Sequence, residues 1–401
     1  MNLFGTMGNR IAQGLMAPVI KNMKIDFPQR IEGVDAFLSI PEILEQKGAK
    51  HPLIVTGPRI AKSEFFSAMI HNMEGEYSVY DKVEPDPKVS QAVEMMEMYE
   101  QNHCDSFIAI GGGSNMDAAK AAAAGVARPD KKISELGGLM KVGKKIPLFI
   151  AVPTTSGTGS ETTVAAVVTD DETGRKYSIN DGNLCPDYAV LDPNLTVSLP
   201  PALTAQTGMD ALTHAVEAYL NKTYHTKDTK ELCEDAVQAI FEFLPKAYED
   251  GNDMEAREEM LIASFKAGQA FTVSCVGNVH AIAHTIGGLY HVPHGLANAV
   301  VLPYVLYDYG AKIYGPLARL AEITRVKEEG SQKEKAEAFI EEIKKMNERM
   351  GIPSNFSQLQ EKDFPTMAGW AAKEANPLYP CPKIYGKNDF IRLLKQIRGT
   401  V

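Results

Sequence analysis

With 401 residues and 44% hydrophobic composition, the chain is long enough for two domains, each with its own core. A formal net charge of -10 provides no basic footprint for nucleic acid and no Lys/Arg block for an anionic membrane surface, so neither partner is expected. Five scattered cysteines without a CxxC pair read as free thiols in a reducing compartment, which makes a cytoplasmic location the expectation.

In chain order, the N-terminal MNLFGTMGNRIAQGLMAPVIKNMK carries one weakly apolar stretch, interrupted by Pro18 and lacking a small-residue cleavage site, so no secretion signal is read from it. Short β-rich runs then alternate with helical patterns. LIVT (53–56) precedes a helix near 61–73, YSVY (77–80) one near 89–102, and FIAI (107–110) an alanine-rich helix. PLFIAVP (147–153) and YAVLDP (188–193) are the last strand-like runs, and helical periodicity fills the remainder. This predicts a Rossmann-like α/β domain with a parallel sheet over 1–195 and an all-helical domain over 196–401. The charged segment 327–349 reads as a solvated helix face.

GGGSNMDAAK (111–120) sits where the FIAI strand turns into a helix, and Ser114 with Asp117 reads as a capping box. Without side chains at Gly111, Gly112 and Gly113, an anion can approach backbone N–H groups at the positive end of that helix. The pattern is neither the dinucleotide fingerprint, since Met116 stands at the third glycine position, nor a P-loop. TTSGTGSE (154–161) is a second turn of the same kind after another strand, and two such turns on one sheet point to a dinucleotide. Beyond the strand ending at Thr56, where an acidic residue would bind the ribose hydroxyls and repel a 2′-phosphate, stands Gly57, with Arg59 and Lys62 close behind. The cofactor is therefore expected to be NAD or NADP, with NADP accepted.

Four of nine histidines fall within 280–294. The segment 268–286 is apolar nearly all round and reads as one buried helix with His280 and His284 a turn apart on one face. In TGMDALTHAVEAY (207–219), Asp210, His214 and Glu217 share a helix face, and a carboxylate and an imidazole four residues apart can chelate one ion. Such N/O donors suit Fe²⁺ or Zn²⁺ rather than Mg²⁺ or Ca²⁺. The spacing leaves open which of the four histidines take part.

Taken together, GMDALTHAVEAY, HAIAHTIGGLYHVPHGLANAVVLP, GGGSNMDAAK and VPTTSGTGSE make the chain resemble the iron-containing (group III) alcohol dehydrogenase family from about Phe27 to the C-terminus. The resemblance implies a dehydroquinate synthase-like architecture and a homodimer. It implies that Asp210, His214, His280 and His294 hold the ion, and that His284 lies behind the ligands or beside the substrate rather than on the ion; as a buried imidazole near the ion, His284 is expected to relay the proton to solvent. It implies cofactor contacts at Gly112, Gly113, Ser114, Asp117, Thr154, Thr155, Thr158 and Lys176, with Gly57 at the ribose position. His291 carries no implied role. Three departures stand out: Gly57 for the common Asp, Asp86 for the usual Asn, and Asn376-Pro377-Leu378 for Asn-Pro-Arg. The residues before Phe27 form an extension, read as a flexible or interface-packing tail.

The expected activity is metal-dependent, reversible hydride transfer between a small primary alcohol or diol and NAD(P), with the aldehyde as the oxidised partner. Glycerol dehydrogenase-like activity and hydroxyacid–oxoacid transhydrogenase activity are the alternatives, and a non-catalytic metal- or nucleotide-binding protein is a distant third.

Overall fold

Strands and helices alternate through the first half of the chain. After helix α1 (Leu3–Lys21) come β1 (Gln29–Glu32), α2 (Ile40–Lys47), β2 (Pro52–Val55), α3 (Glu64–Asn72), β3 (Ser78–Tyr80), α4 (Val89–Gln101), β4 (Ser106–Gly111) and α5 (Gly113–Ala127). Then follow α6 (Ile133–Leu136), β5 (Gly138–Leu139), β6 (Leu148–Pro153), β7 (Ala165–Thr169), β8 (Lys176–Asn180) and β9 (Tyr188–Leu191). The rest is helical: α7 (Pro201–Leu220), α8 (Lys227–Glu249), α9 (Met254–Ser274), α10 (Asn278–Tyr290), α11 (His294–Tyr309), α12 (Tyr314–Ile323), α13 (Gln332–Arg349), α14 (Phe364–Ala375) and α15 (Lys387–Arg398). The structure is a computed structural model and describes residues 3–22, 24–73, 75–174 and 176–399.

One unit spans Lys24–Ser198. Its main sheet runs β1-β9-β6-β4-β2-β3, and every pair in it is parallel. A parallel sheet is covered on both faces, which is why its strands read as continuous apolar runs. Along β4, Phe107 and Ala109 join one buried cluster while Ile108 and Ile110 join the other, and Phe149/Ala151 against Ile150/Val152 repeat the alternation on β6. β5, β8 and β7 form a separate small sheet, with β7 and β8 antiparallel. Sequence patterning misses β1 and the β7–β8 hairpin, because Gln29–Glu32 is mostly exposed and Lys176–Asn180 carries one buried position.

The helical unit runs from Leu199 onward and includes α1. The sequence boundary at 195 had assigned the N-terminal stretch to the α/β part; its hydrogen bonds explain the difference. Gln13, fully buried, donates to the carbonyls of Pro377 and Tyr379. Arg10 donates to those of Cys381 and Pro382, and Asn9 to the Asn376 side chain. On α1, Met7, Ile11, Leu15 and Val19, spaced four apart, are exposed. Among the described residues no single helix is long and apolar enough to cross a membrane. The solvated reading of 327–349 holds for one side of α13, whereas Phe339, Ile340, Ile343 and Met346 are buried.

Two local expectations are corrected. The helix after the first glycine turn begins at Gly113 with Gly112 as its cap, so Ser114 is not the capping residue. Asp117 instead accepts from the Ser160 hydroxyl at 2.8 Å and the Val167 amide at 3.1 Å, which removes the acidic half of the expected box. The segment 268–286 is two helices, α9 and α10, meeting at 104°. The break lies at Cys275, whose φ of 62° and ψ of 165° belong to a region that side chains other than glycine rarely adopt. Three carbonyls freed there, those of Ser274, Cys275 and Val276, lie 2.9–3.1 Å from the Asn221 side-chain amide nitrogen, whose two protons they share.

Candidate active site

The break at Cys275 turns α10 so that His280 points at α7. Asp210 and His214 lie one turn apart on α7, a helix buried almost throughout its last fifteen residues, and His294 is the first residue of α11. The ligand atoms of Asp210, His214, His280 and His294 all lie within 4.8 Å of one another. Asp210 Oδ1 is 3.4 Å from His294 Nε2 and 3.9 Å from His280 Nε2. The His214 ring stacks between Phe271 and His280, with centroids at 4.2 and 4.5 Å. Asp210, His214 and His280 are buried, and only the His294 side chain is substantially open, at 40%.

Glu217 completes the α7 face. It accepts the Gly277 and Val279 amides at 2.8 and 2.7 Å and pairs with His280 Nδ1 at 2.7 Å. Burial raises the Glu217 carboxyl to about 7, and burial together with the neighbouring imidazoles drives His280 well below its usual value. Three N–H groups converging on one carboxyl favour the anion all the same, so His280 is neutral with its proton on Nδ1. Its Nε2 lone pair then faces the cluster, as a metal ligand requires. Gly277 is needed for this approach, since a Cβ there would come within 2.5 Å of Glu217 Oε1.

His284 departs from the expected buried imidazole. It is 44% exposed, its ring centroid is 5.1 Å from that of His294, and its Nδ1 pairs with Glu374 Oε1 at 2.7 Å. Burial pushes Glu374 upward, but the His284 imidazole and the Tyr379 hydroxyl outweigh it and hold the carboxyl below its usual value. Tyr379 belongs to the loop that Gln13 of α1 binds. His291 caps α10 in the left-handed region and lies outside the cluster.

In the α/β unit the two glycine-rich turns follow neighbouring strands, with Gly111 in register with Pro153. They touch: a Cβ on Gly112 would lie 3.4 Å from Thr155, and one on Gly113 would lie 2.9 Å from Thr158. Both turns therefore sit side by side at the carboxyl ends of central strands, where open α/β sheets bind nucleotides. Ser114 opens α5 next to them, and Thr154 is buried with its amide bound to the Gly111 carbonyl. Lys176 lies apart on β8, its ammonium 2.5 Å from Asp86. A Cβ on Gly57 would be 3.1 Å from the Val83 carbonyl oxygen, so little room exists for a side chain there.

Besides Asn221, Glu374 and Tyr379, three more residues escaped the sequence reading. Lys120 is fully buried, and its ammonium donates to the carbonyls of Ser160 (2.5 Å) and Thr163 (2.8 Å), tying the second turn to α5. Glu161 is buried, with Oε1 unpartnered among the described residues, and burial raises its carboxyl to about 7. Asn298 lies among the proposed ligands. The first two carried a signal, being charged residues set in otherwise apolar or small-residue runs; Asn298 carried only its place one turn after His294.

A carboxylate and three imidazoles on converging helices fit a divalent transition metal, and paired glycine-rich turns on a parallel sheet fit a dinucleotide. Fold and site together define the class as a protein whose α/β unit suits a dinucleotide and whose helical unit suits a divalent metal. Residues 28–193 match the family model described as iron-containing alcohol dehydrogenase, and 204–398 match that of the Fe-containing alcohol dehydrogenase family, C-terminal. An NAD-dependent methanol dehydrogenase of Bacillus methanolicus is 36% identical over 348 residues, 85% of this chain and 91% of that protein. An NADPH-dependent butanol dehydrogenase of Clostridium saccharobutylicum is 37% identical over 335 residues, 81% and 85% of the two chains. A crystal structure of 1,3-propanediol oxidoreductase superposes with a TM-score of 0.89 at 33% identity, covering 94% of this chain and all of that one. The chain belongs to the iron-containing alcohol dehydrogenase family and is an NAD(P)-dependent alcohol dehydrogenase of that type.

Proposed function

We propose that the chain interconverts a short primary alcohol or diol with its aldehyde, with Asp210, His214, His280 and His294 as the metal ligands. The observation that carries this reading is the convergence of those four ligand atoms within 4.8 Å on three separate helices. The names of the relatives, methanol and butanol dehydrogenase and 1,3-propanediol oxidoreductase, support the substrate class. A bound divalent cation supplies Lewis acidity that lowers the pKa of a hydroxyl, and the nicotinamide supplies the hydride acceptor.

The chain's own residues do the rest. Glu217 fixes the tautomer and orientation of His280. His284, open to solvent and backed by Glu374, carries the hydroxyl proton outward. The turns at Gly112–Ser114 and Thr154–Thr158 cradle the pyrophosphate through backbone amides and hydroxyls, and Gly57 leaves the ribose end free of negative charge, so NADP is accepted beside NAD. Asp117 supports from behind by holding Ser160. Lys176 reaches the cofactor only after leaving Asp86. We place the enzyme in the cytoplasm as a homodimer, with the α/β part as the cofactor domain and the helical part as the metal domain.

The test is metal analysis of anaerobically purified protein, coupled to a screen of short alcohols and aldehydes with both nicotinamide cofactors. One divalent ion per chain and NAD(P)H oxidation on adding a short aldehyde are expected. Turnover of a hydroxyacid–oxoacid pair without added cofactor would replace this reading with transhydrogenation.

A further inference from the structure

Helix α1 is built the wrong way round for a surface helix. Its polar face is turned inward, where Asn9, Arg10 and Gln13 bind the segment 376–382, and its apolar face is turned outward. Met7, Ile11, Leu15 and Val19 are 59%, 55%, 74% and 71% exposed, and the other exposed positions between 7 and 19 are Gly8, Gly14 and Pro18. None of these seven residues carries a charge or a side-chain hydrogen-bond donor. An ordinary surface helix shows the reverse arrangement, and a contiguous exposed apolar strip marks a contact.

Charge and shape select a second copy of this chain as what covers the strip. The chain carries a net charge of -10, so two copies repel each other over most of their surfaces. From Leu3 to Ile20 the one charged residue is Arg10, tied inward to the carbonyls of Cys381 and Pro382, so a second α1 can approach without meeting like charge. The row Met7-Ile11-Leu15-Val19 has the i, i+4 spacing of a packing ridge. The commonest helix crossing sets such a ridge against the same kind of row on its neighbour, which suits a two-fold contact between identical helices. Gly8 and Gly14 lie in the rows on either side of the ridge, and a Cβ on either would meet nothing within 4 Å. Nothing in the chain itself calls for glycine there, where alanine would favour the helix, but the two glycines open the grooves that a partner's ridge would enter. A lipid surface fits less well, because helices lying in a membrane set Lys and Arg along a free polar face, and here the polar face is bound to protein.

We propose that the outward face of α1 is where two copies of this chain meet, ridge against ridge about a two-fold axis. This contact supplies the surface of the homodimer proposed above and rests on that assembly.

The experiment measures the mass of the full-length protein by analytical ultracentrifugation over a range of concentrations, for wild type, Ile11→Glu, Leu15→Glu and Lys21→Glu. All three positions are exposed, so folding is expected to be unaffected, and far-ultraviolet circular dichroism checks it. Wild type is expected to sediment as a dimer or larger. Ile11→Glu and Leu15→Glu are each expected to associate at least about a hundredfold more weakly, because the new carboxylate would be buried twice in the contact without a partner. Lys21→Glu, on the same helix beyond the ridge, is expected to keep the wild-type mass. A monomeric wild type would refute the homodimer itself and the α1 contact with it; if that monomer also co-sedimented with vesicles of anionic lipid and Leu15→Glu did not, the face would belong to a membrane. A multimeric wild type whose mass Leu15→Glu leaves unchanged would overturn the α1 contact alone and leave the homodimer to another surface. Dissociation of Lys21→Glu to the same extent as Leu15→Glu would overturn it too, since added negative charge anywhere on the helix would then suffice.

Discussion

The histidine cluster and the glycine-rich turns, the two sites proposed for metal and cofactor, each bring several polar groups together, and they do it with opposite materials. In the cluster the groups are side chains on α7, α10 and α11, held by other side chains such as Glu217. In the turns they are backbone amides and short hydroxyls, brought together because Gly112 and Gly113 let Thr155 and Thr158 pack against them. A side-chain site is lost through one ligand. A backbone site is lost through whatever holds its loop, and Lys120 and Glu161 lie in that buried support.

The sharpest way to break the comparison is at the ligands. Asp210→Ala and His294→Ala are each expected to lower turnover on the order of a thousandfold or more, since the Lewis acid contributes several kcal/mol to the transition state. Metal content by elemental analysis is expected to fall well below one ion per chain, with NAD(P)H binding kept, because the turns proposed to hold the cofactor belong to the other unit. Loss of NAD(P)H binding in equal measure would erase the distinction drawn between the two regions.

The turn support is tested by pH. Burial raises Glu161 from 4.5 to about 7, with Lys120 pulling the other way. A carboxyl whose folded pKa lies above its unfolded value adds stability that is fully present below about 4.5 and is lost as pH rises through about 7. Glu161→Gln is therefore expected to stabilise the protein above pH 7 by up to about 3 kcal/mol and to change little near pH 4. Denaturant melts at the two pH values measure this. Equal effects at both would mean that the carboxyl does not titrate in this range.

Glu217 tests the side-chain region at smaller amplitude. Glu217→Gln leaves the packing almost unchanged but weakens the acceptor on His280 Nδ1, and a 10- to 100-fold loss of metal affinity is expected from removing such a partner. Chelator competition reads it. Unchanged affinity would mean that the α10 helix orients His280 without help.

How far the sequence made each region legible follows from the same contrast. Asp210 with His214, and the later histidines, were visible because helical periodicity puts residues four apart on one face. Their partners were not, because Glu217 meets His280 across 63 residues and Glu374 meets His284 across 90. The kink between α9 and α10 was also hidden: the segment is apolar on both sides of it, and the break depends on Asn221, more than fifty residues upstream. At the turns, glycine spacing gave the strand-to-helix corners and not their supports. Ser114 and Asp117 fit a capping pattern in sequence, but a donor from Ser160, 43 residues away, claimed Asp117.

Gly57 is where the smallest effect is expected and where the backbone region can be converted into a side-chain one. Asp at this position would set a carboxylate where the ribose end is expected to lie, favouring the two hydroxyls of NAD and repelling a 2′-phosphate. Its Cβ would sit 3.1 Å from the Val83 carbonyl, so the loop must yield by a few tenths of an ångström. Gly57→Asp is accordingly expected to raise the KM for NADPH about tenfold while leaving that for NADH unchanged or lower, since one like-charge contact near a surface contributes on the order of 1 kcal/mol. Steady-state kinetics with both cofactors at constant ionic strength measure it, and the shift should shrink in high salt. An unchanged NADPH KM would mean that the ribose phosphate lies away from Gly57, and cofactor choice would then have to be sought at Arg59 and Lys62.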